Sequence, residues 1–181
     1  MPDNSGRRIV RELRRIVHGT ARIVIRSLHE MGISNIVATK MTGAGYHNDI
    51  ILSFLDAGAN SLLDFVDVGL PSTVVPREEY RKSLHKLFGM IREKESDVLV
   101  VEAGASPCES DDGQLVLEAF GLCQPQEFVC HSRWPRMPTY AVAGAKAHFK
   151  RLGIRPNMVT GIVANTSAGR NLVLRMTGMP A

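Results

Sequence analysis

Glu102 closes a run of four apolar residues, Asp97-Val-Leu-Val-Val-Glu102, and is followed by Ala-Gly104-Ala-Ser106. A carboxylate in that position suits a metal ligand or the orienter of a metal-bound water, and Gly104 lets backbone approach a ligand closely. Lys40 occupies a comparable place, after Ile36-Val-Ala-Thr39 and before Met-Thr42-Gly43-Ala-Gly45. There the lysine offers a point charge and Thr42 a hydroxyl donor. Gly43 and Gly45 would let backbone N–H groups converge on an anion. The plain alternative is a glycine turn beside a solvated lysine. One place thus offers a cation and the other a carboxylate, a pairing suited to a phosphorylated ligand and a metal.

Two further stretches carry candidate groups. In Leu62-Leu-Asp64-Phe-Val-Asp67-Val-Gly69-Leu-Pro-Ser72-Thr73 the two aspartates bracket an apolar strand, and a carboxylate at a strand end is a common Mg²⁺ ligand beside substrate phosphates. The competing reading has Asp64 starting the strand and Asp67 capping a turn, with Ser72 and Thr73 either lining a pocket or leading into the next helix. In Val159-Thr-Gly-Ile-Val-Ala-Asn165-Thr-Ser-Ala-Gly169 the asparagine ends a strand with both a donor and an acceptor, suited to reading a base edge or to capping the following helix. Asp111 and Asp112 read as caps of a helix near Gly113. Cys123, Cys130 and His131 fit no zinc spacing and lack a fourth ligand. The single tryptophan, Trp134, lies in a Pro-rich loop that is either a lid or a surface turn.

These groups need elements to hold them. Four consecutive Val/Leu residues before Glu102 read as a strand buried on both faces, the mark of a parallel sheet, whose chemistry gathers at the carboxyl ends of its strands. Apolar spacing predicts strands over 34–39, 62–68, 97–102, 126–131 and 158–164. Helices are predicted over 48–57, 77–94, 113–120, 139–152 and 168–177. A further helical stretch at 7–31 has Gly19 as a break and Gly32 as its stop. The alternation implies βαβ units with right-handed crossovers. The predicted architecture is α/β, a three-layer α/β/α arrangement around one mostly parallel sheet of about five strands. Residues 1–30 are expected to be a basic helical segment and 31–181 the α/β region, together one domain.

Bulk properties narrow the class. The chain has 181 residues, of which 44% are hydrophobic and 22% charged, ordinary for a globular protein. Seven of the 22 basic residues but only three of the 18 acidic ones fall within residues 1–30, so the remainder carries 15 of each and is electrically balanced. No apolar run approaches the roughly 20 residues of a membrane span, which predicts no membrane partner. The absence of a secretory h-region and the three unpatterned cysteines predict a cytoplasmic protein.

Taken in order, the strand-end motifs resemble the dethiobiotin synthetase and cobyrinic acid synthetase branch of the P-loop NTPases. Lys40 and the small residues after it look like the second-strand motif that faces substrate and phosphates. Val101-Glu102-Ala-Gly-Ala looks like the "VEGAG" motif whose glutamate binds Mg²⁺, and Val163-Ala-Asn165 like the "VAND" motif whose asparagine recognises adenine. Asp67 stands, more loosely, where the Mg²⁺-binding aspartate would be. The resemblance implies ATP and Mg²⁺ as cofactors. It also implies a small carboxylate substrate activated by phosphoryl transfer, with Lys40 and Thr42 as catalytic residues. Gly43, Gly45, Gly104 and Asn165 would then bind cofactor, and Asp67 and Glu102 the metal. Nucleic acid is disfavoured as a partner, and a homodimer is left open.

One departure weighs against these matches. The family opens with a strand, a glycine-rich loop and a Lys-Thr pair, which counting back from Lys40 places near His18-Gly19-Thr20, where no lysine stands. GxxxxGK[ST] occurs nowhere in the chain, and without that lysine full activity is not expected. Either the first strand and P-loop are missing by truncation, or the protein is a degenerate member. The alternative to a nucleotide-binding ligase is a non-catalytic binding or scaffold protein that uses the basic N-terminal helix against a partner or polyanion.

Overall fold

The computed structural model describes residues 19–45, 48–104, 111–121, 129–132, 138–151 and 153–181. Much of the basic segment, Cys108, Cys123, Trp134 and its loop lie outside the described residues, and so do the side chains of Asp111, Asp112, Cys130 and His131. The elements are α1 (19–30), β1 (Ile36–Lys40), α2 (Asn48–Asp56), β2 (Ser61–Asp64), α3 (Arg77–Arg92) and β3 (Val98–Glu102). Then come α4 (Asp111–Gly121), β4 (Val129–Ser132), α5 (Pro138–Arg151), β5 (Met158–Gly161), a 3₁₀ turn (Ile162–Ala164) and α6 (Ser167–Thr177). The protein is thus mixed α/β, as its alternating pattern predicts. Described residues within His18–Leu117 form one compact unit, and those within Glu118–Ala181 belong to a second.

All five expected strands form, and every pairing is parallel. Among the described residues their hydrogen bonds run in two sets, β2-β1-β3 and β4-β5, where the sequence predicts one sheet of about five strands. Alternating strands and helices dictate parallel pairing but say nothing about which strands become neighbours.

In the first unit the order β2-β1-β3 means that the chain steps one way from β1 and then back across it. Right-handed crossovers then put α2 and α3 on opposite faces of the sheet. Ile36 and Ala38 on one face of β1 pack with Ile25 of α1 and with Phe54 and Ala57 at the end of α2; Leu62 and Val100 join them from the flanking strands. On α3 the buried residues are Tyr80, Ser83, Leu84, Leu87 and Ile91, a stripe at helical spacing. The helix opens with Glu78 and Glu79 and closes with Arg92, charges that complement its dipole. Asn60 fixes the start of the β1–β2 ladder: its Oδ1 accepts the Ile36 N–H at 2.9 Å while its own N–H donates to the Ile36 carbonyl at 2.8 Å.

The second unit buries Val142, Val159, Val163, Val173 and Met179 between its two strands, the 3₁₀ turn and helices α5 and α6. The Val159 N–H donates to the Pro180 carbonyl at 2.8 Å, and Lys146 Nζ donates to the carbonyl of Thr177. Residues after α6 are therefore tied back onto β5. No helix among the described residues is long and apolar enough to cross a membrane.

Candidate functional site

Three ionisable residues end the three strands of the first unit in a single row. Lys40 pairs in register with Asp64 on one side and with Glu102 on the other. Their neighbours two residues back, Ala38, Leu62 and Val100, all belong to the same core cluster, so the three side chains leave the same face of the sheet. Strand spacing sets the Lys40 backbone about 5 Å from that of each acid, and the two acid backbones about 10 Å apart. Asp64 is 8% exposed and Glu102 6%, whereas Lys40 is half-buried. Among the described residues Lys40 makes no ion pair within 4.0 Å.

The lysine folds back over the glycine turn that follows it. A Cβ on Gly43 would lie 3.2 Å from Lys40 Nζ and 3.3 Å from Cε, and Gly43 has φ +136°. Gly43 therefore serves to make room for the ammonium group. It does not present its amide to an anion, because the Gly43 N–H donates to Thr73 Oγ1 at 3.0 Å. The Gly45 N–H donates to the Pro71 carbonyl at 2.9 Å, and the Met41 N–H to the Glu102 carbonyl at 2.9 Å. The amide cradle expected from the glycines is consumed by antiparallel stitching, centred on Ala44 and Ser72, between this loop and the segment before α3.

Thr42 is committed as well. It is fully buried, and its Oγ1 donates to the Ala103 carbonyl, linking the loops after β1 and β3. Gly104, at φ +78°, sits against it: a Cβ there would meet Thr42 Oγ1 at 2.6 Å and the Thr42 carbonyl oxygen at 2.8 Å. The expected close approach of Gly104 is therefore to the chain itself.

Asp64 and Asp67 do not bracket a strand. β2 ends at Asp64, and the two aspartates close a turn reciprocally. The Asp64 N–H donates to Asp67 Oδ2 at 2.7 Å, and Asp64 Oδ1 accepts the Val66 N–H at 2.7 Å. Short polar side chains that bond nearby backbone in this way compete with the ladder, which is why β2 stops four residues short of the expected 68. Burial pushes the Asp64 carboxyl above its ordinary range and the adjacent Asp67 charge adds to the rise. The Val66 and Asp67 N–H groups and Lys40 oppose it. Asp67 itself is exposed, so Asp64, not Asp67, is the β2 acid in the row.

Asn165 belongs to the second unit and is exposed just past the 3₁₀ turn. The cap of α6 is its neighbour Thr166, whose Oγ1 accepts the Gly169 N–H at 3.0 Å. Asn165 is thus relieved of the capping role that the sequence allowed it.

Mg²⁺ is usually held by one or two carboxylates while substrate phosphates and water fill its remaining positions. The row offers two such carboxylates, Glu102 at the end of β3 and Asp64 at the end of β2. Among the described residues no three His, Cys, Asp or Glu side chains gather into an all-protein cage.

Two contributors escaped the sequence reading. Tyr80, 1% exposed, donates its hydroxyl proton to the Met41 carbonyl at 2.5 Å. The signal was that a tyrosine on the apolar stripe of a helix must find a partner for its hydroxyl. Thr73 was named only as pocket lining or lead-in, yet it both accepts from Gly43 and donates its N–H to the Gly43 carbonyl at 2.9 Å.

No protein-family model, curated protein or solved structure matches the chain.

Proposed function

We propose that this protein binds a nucleotide, ATP with Mg²⁺, at the carboxyl edge of the β2-β1-β3 sheet. In this reading it is a P-loop NTPase-like protein of the dethiobiotin synthetase kind without the P-loop sequence. The observation that carries the reading is the in-register row Asp64–Lys40–Glu102 on one face of three parallel strands. Lys40 supplies the countercharge for a phosphate, and Glu102, with Asp64 beside Lys40, supplies the carboxylate oxygens for the ion. Mg²⁺ would contribute neutralisation of phosphate charge. Asp67, which the resemblance nominates for the metal, serves here to fix the Asp64 backbone. Asn165 as a reader of adenine rests on the resemblance alone. Activation of a small carboxylate by phosphoryl transfer belongs to the same reading. GxxxxGK[ST] does not occur in these 181 residues, and without such a lysine the row alone would support only slow phosphoryl transfer.

The test is calorimetric titration of the full chain with MgATP, with and without EDTA, repeated on Lys40→Ala and Glu102→Ala. Binding should require magnesium and weaken about tenfold in each variant, the equivalent of roughly 1.4 kcal/mol. Affinity and magnesium dependence unchanged in both variants would show the assignment to be wrong.

A further inference from the structure

We propose that Tyr80 and Thr73 are positioning residues for Lys40, forming a clasp that fixes the loop on which the lysine folds; its consequence for ligand binding rests on the nucleotide reading above. Both residues hold the backbone that follows Lys40. The Tyr80 hydroxyl, reaching up from the first turns of α3, donates to the carbonyl of Met41, the residue immediately after Lys40. Thr73, 1% exposed, bonds both main-chain groups of Gly43, whose lack of a Cβ leaves the space that Lys40 Nζ and Cε occupy.

A lysine has four side-chain torsions and loses rotamer freedom when it is fixed. Here the surface beneath its ammonium is a glycine turn, which has little stiffness of its own. The stiffness comes from outside the turn, through one buried tyrosine and one buried threonine. Pro71 adds a third tie, accepting from Gly45, but through backbone alone, so no side-chain change removes it cleanly. The clasp makes the lysine's placement depend on the segment entering α3, which sequence alone would assign to the core.

The experiment combines Tyr80→Phe, Thr73→Val and Lys40→Ala in a double-mutant cycle read by MgATP titration, with amide hydrogen exchange of Gly43 and Gly45 recorded without ligand. Tyr80→Phe keeps the ring in the core and removes the hydroxyl that bonds the Met41 carbonyl, so it should weaken binding about three- to tenfold. In the Lys40→Ala background the same change should cost less than about twofold, because the positioned group is gone. Exchange at Gly45, whose own acceptor is untouched, should accelerate about tenfold in either clasp variant. Thr73→Val gives an independent reading should Tyr80→Phe fold poorly.

Equal weakening by Tyr80→Phe with and without Lys40 would assign Tyr80 a purely structural role and overturn the proposal. So would unchanged exchange at Gly45 in both clasp variants. If Lys40→Ala weakens binding but neither clasp variant does, the positioning proposal fails while the nucleotide reading stands. If the unmodified protein does not bind MgATP, the nucleotide reading fails, and the exchange data still decide whether the clasp holds the loop.

Discussion

Gly104 gives the sharpest test of how the site loops are held. A Cβ there would lie 2.6 Å from Thr42 Oγ1 and 2.8 Å from the Thr42 carbonyl oxygen. The first contact could be relieved by rotating the threonine, at the loss of its bond to Ala103; the second is with backbone and requires the loop to move. The positive φ of 78° adds strain for any residue with a Cβ, about 1–2 kcal/mol. Loss of one buried hydrogen bond adds about 1 kcal/mol. Gly104→Ala should therefore cost about 3 kcal/mol, which for a chain of this length lowers the melting midpoint by about 6–12 °C. Gly69 provides the control within the same unit, because its φ is +91° but nothing lies within 4 Å of its would-be Cβ. Gly69→Ala should carry only the strain, about 1 kcal/mol. Urea unfolding of the two variants, followed by circular dichroism, separates strain from packing. Equal losses in the two variants would refute the claim that the β3 loop is closed down on Thr42.

Two further changes test the turn at Asp64 and the start of α6. The raised carboxyl of Asp64 favours its protonated form in the folded state. Its contribution to stability is thus fully present below the ordinary value of 3.8 and is lost as pH rises through the raised folded value. Asp64→Asn keeps a neutral acceptor for the Val66 N–H, so the variant should gain on the unmodified protein as pH is raised from 3 to 7; a pH-independent difference in urea midpoints would refute this. Thr166→Ala should cost about 1 kcal/mol through loss of the bond from Gly169, whereas Asn165→Ala should change stability by less than about 0.5 kcal/mol. The reverse order in thermal unfolding would make Asn165 the cap.

Much of this architecture was legible because the apolar spacing is strong. Val98–Val101, Ile36–Thr39 and the stripe on α3 fix the type and order of their elements with little competition from other patterns. Sheet membership was not legible, since strand neighbours depend on how helices pack, and the alternating pattern is silent on that. The strand end at Asp64 was misplaced because Phe65 and Val66 continue the apolar run, while the turn that stops it is made by side-chain oxygens three residues apart. Lys40 and Glu102 stand out in the sequence because each is a charge ending an apolar strand. Asp64 reads there equally as the start of a strand, and the register, Lys40 opposite both acids, puts it in the same row. The glycines misled in a specific way: Gly43 and Gly45 advertise a backbone that can bend toward an anion, but nothing in the sequence says that Thr73 and Pro71 already hold their amides.

That closure has an electrostatic consequence for the proposed ligand. With the Met41, Gly43 and Gly45 amides and the Thr42 hydroxyl proton bonded within the chain, an anion arriving at this edge meets side chains instead of a cradle of N–H groups. Lys40 stands between two acids in the ladder, its backbone about 5 Å from that of each, with its ammonium lying over the Gly43 turn. With both acids ionised the row carries one more negative charge than positive. Under the nucleotide reading, free ATP would meet one cation flanked by two acids, whereas a divalent ion on the phosphates would be attracted to those acids. The nucleotide reading therefore predicts, from the acid–base–acid order of this row, binding that depends on magnesium, which the titration with and without EDTA checks.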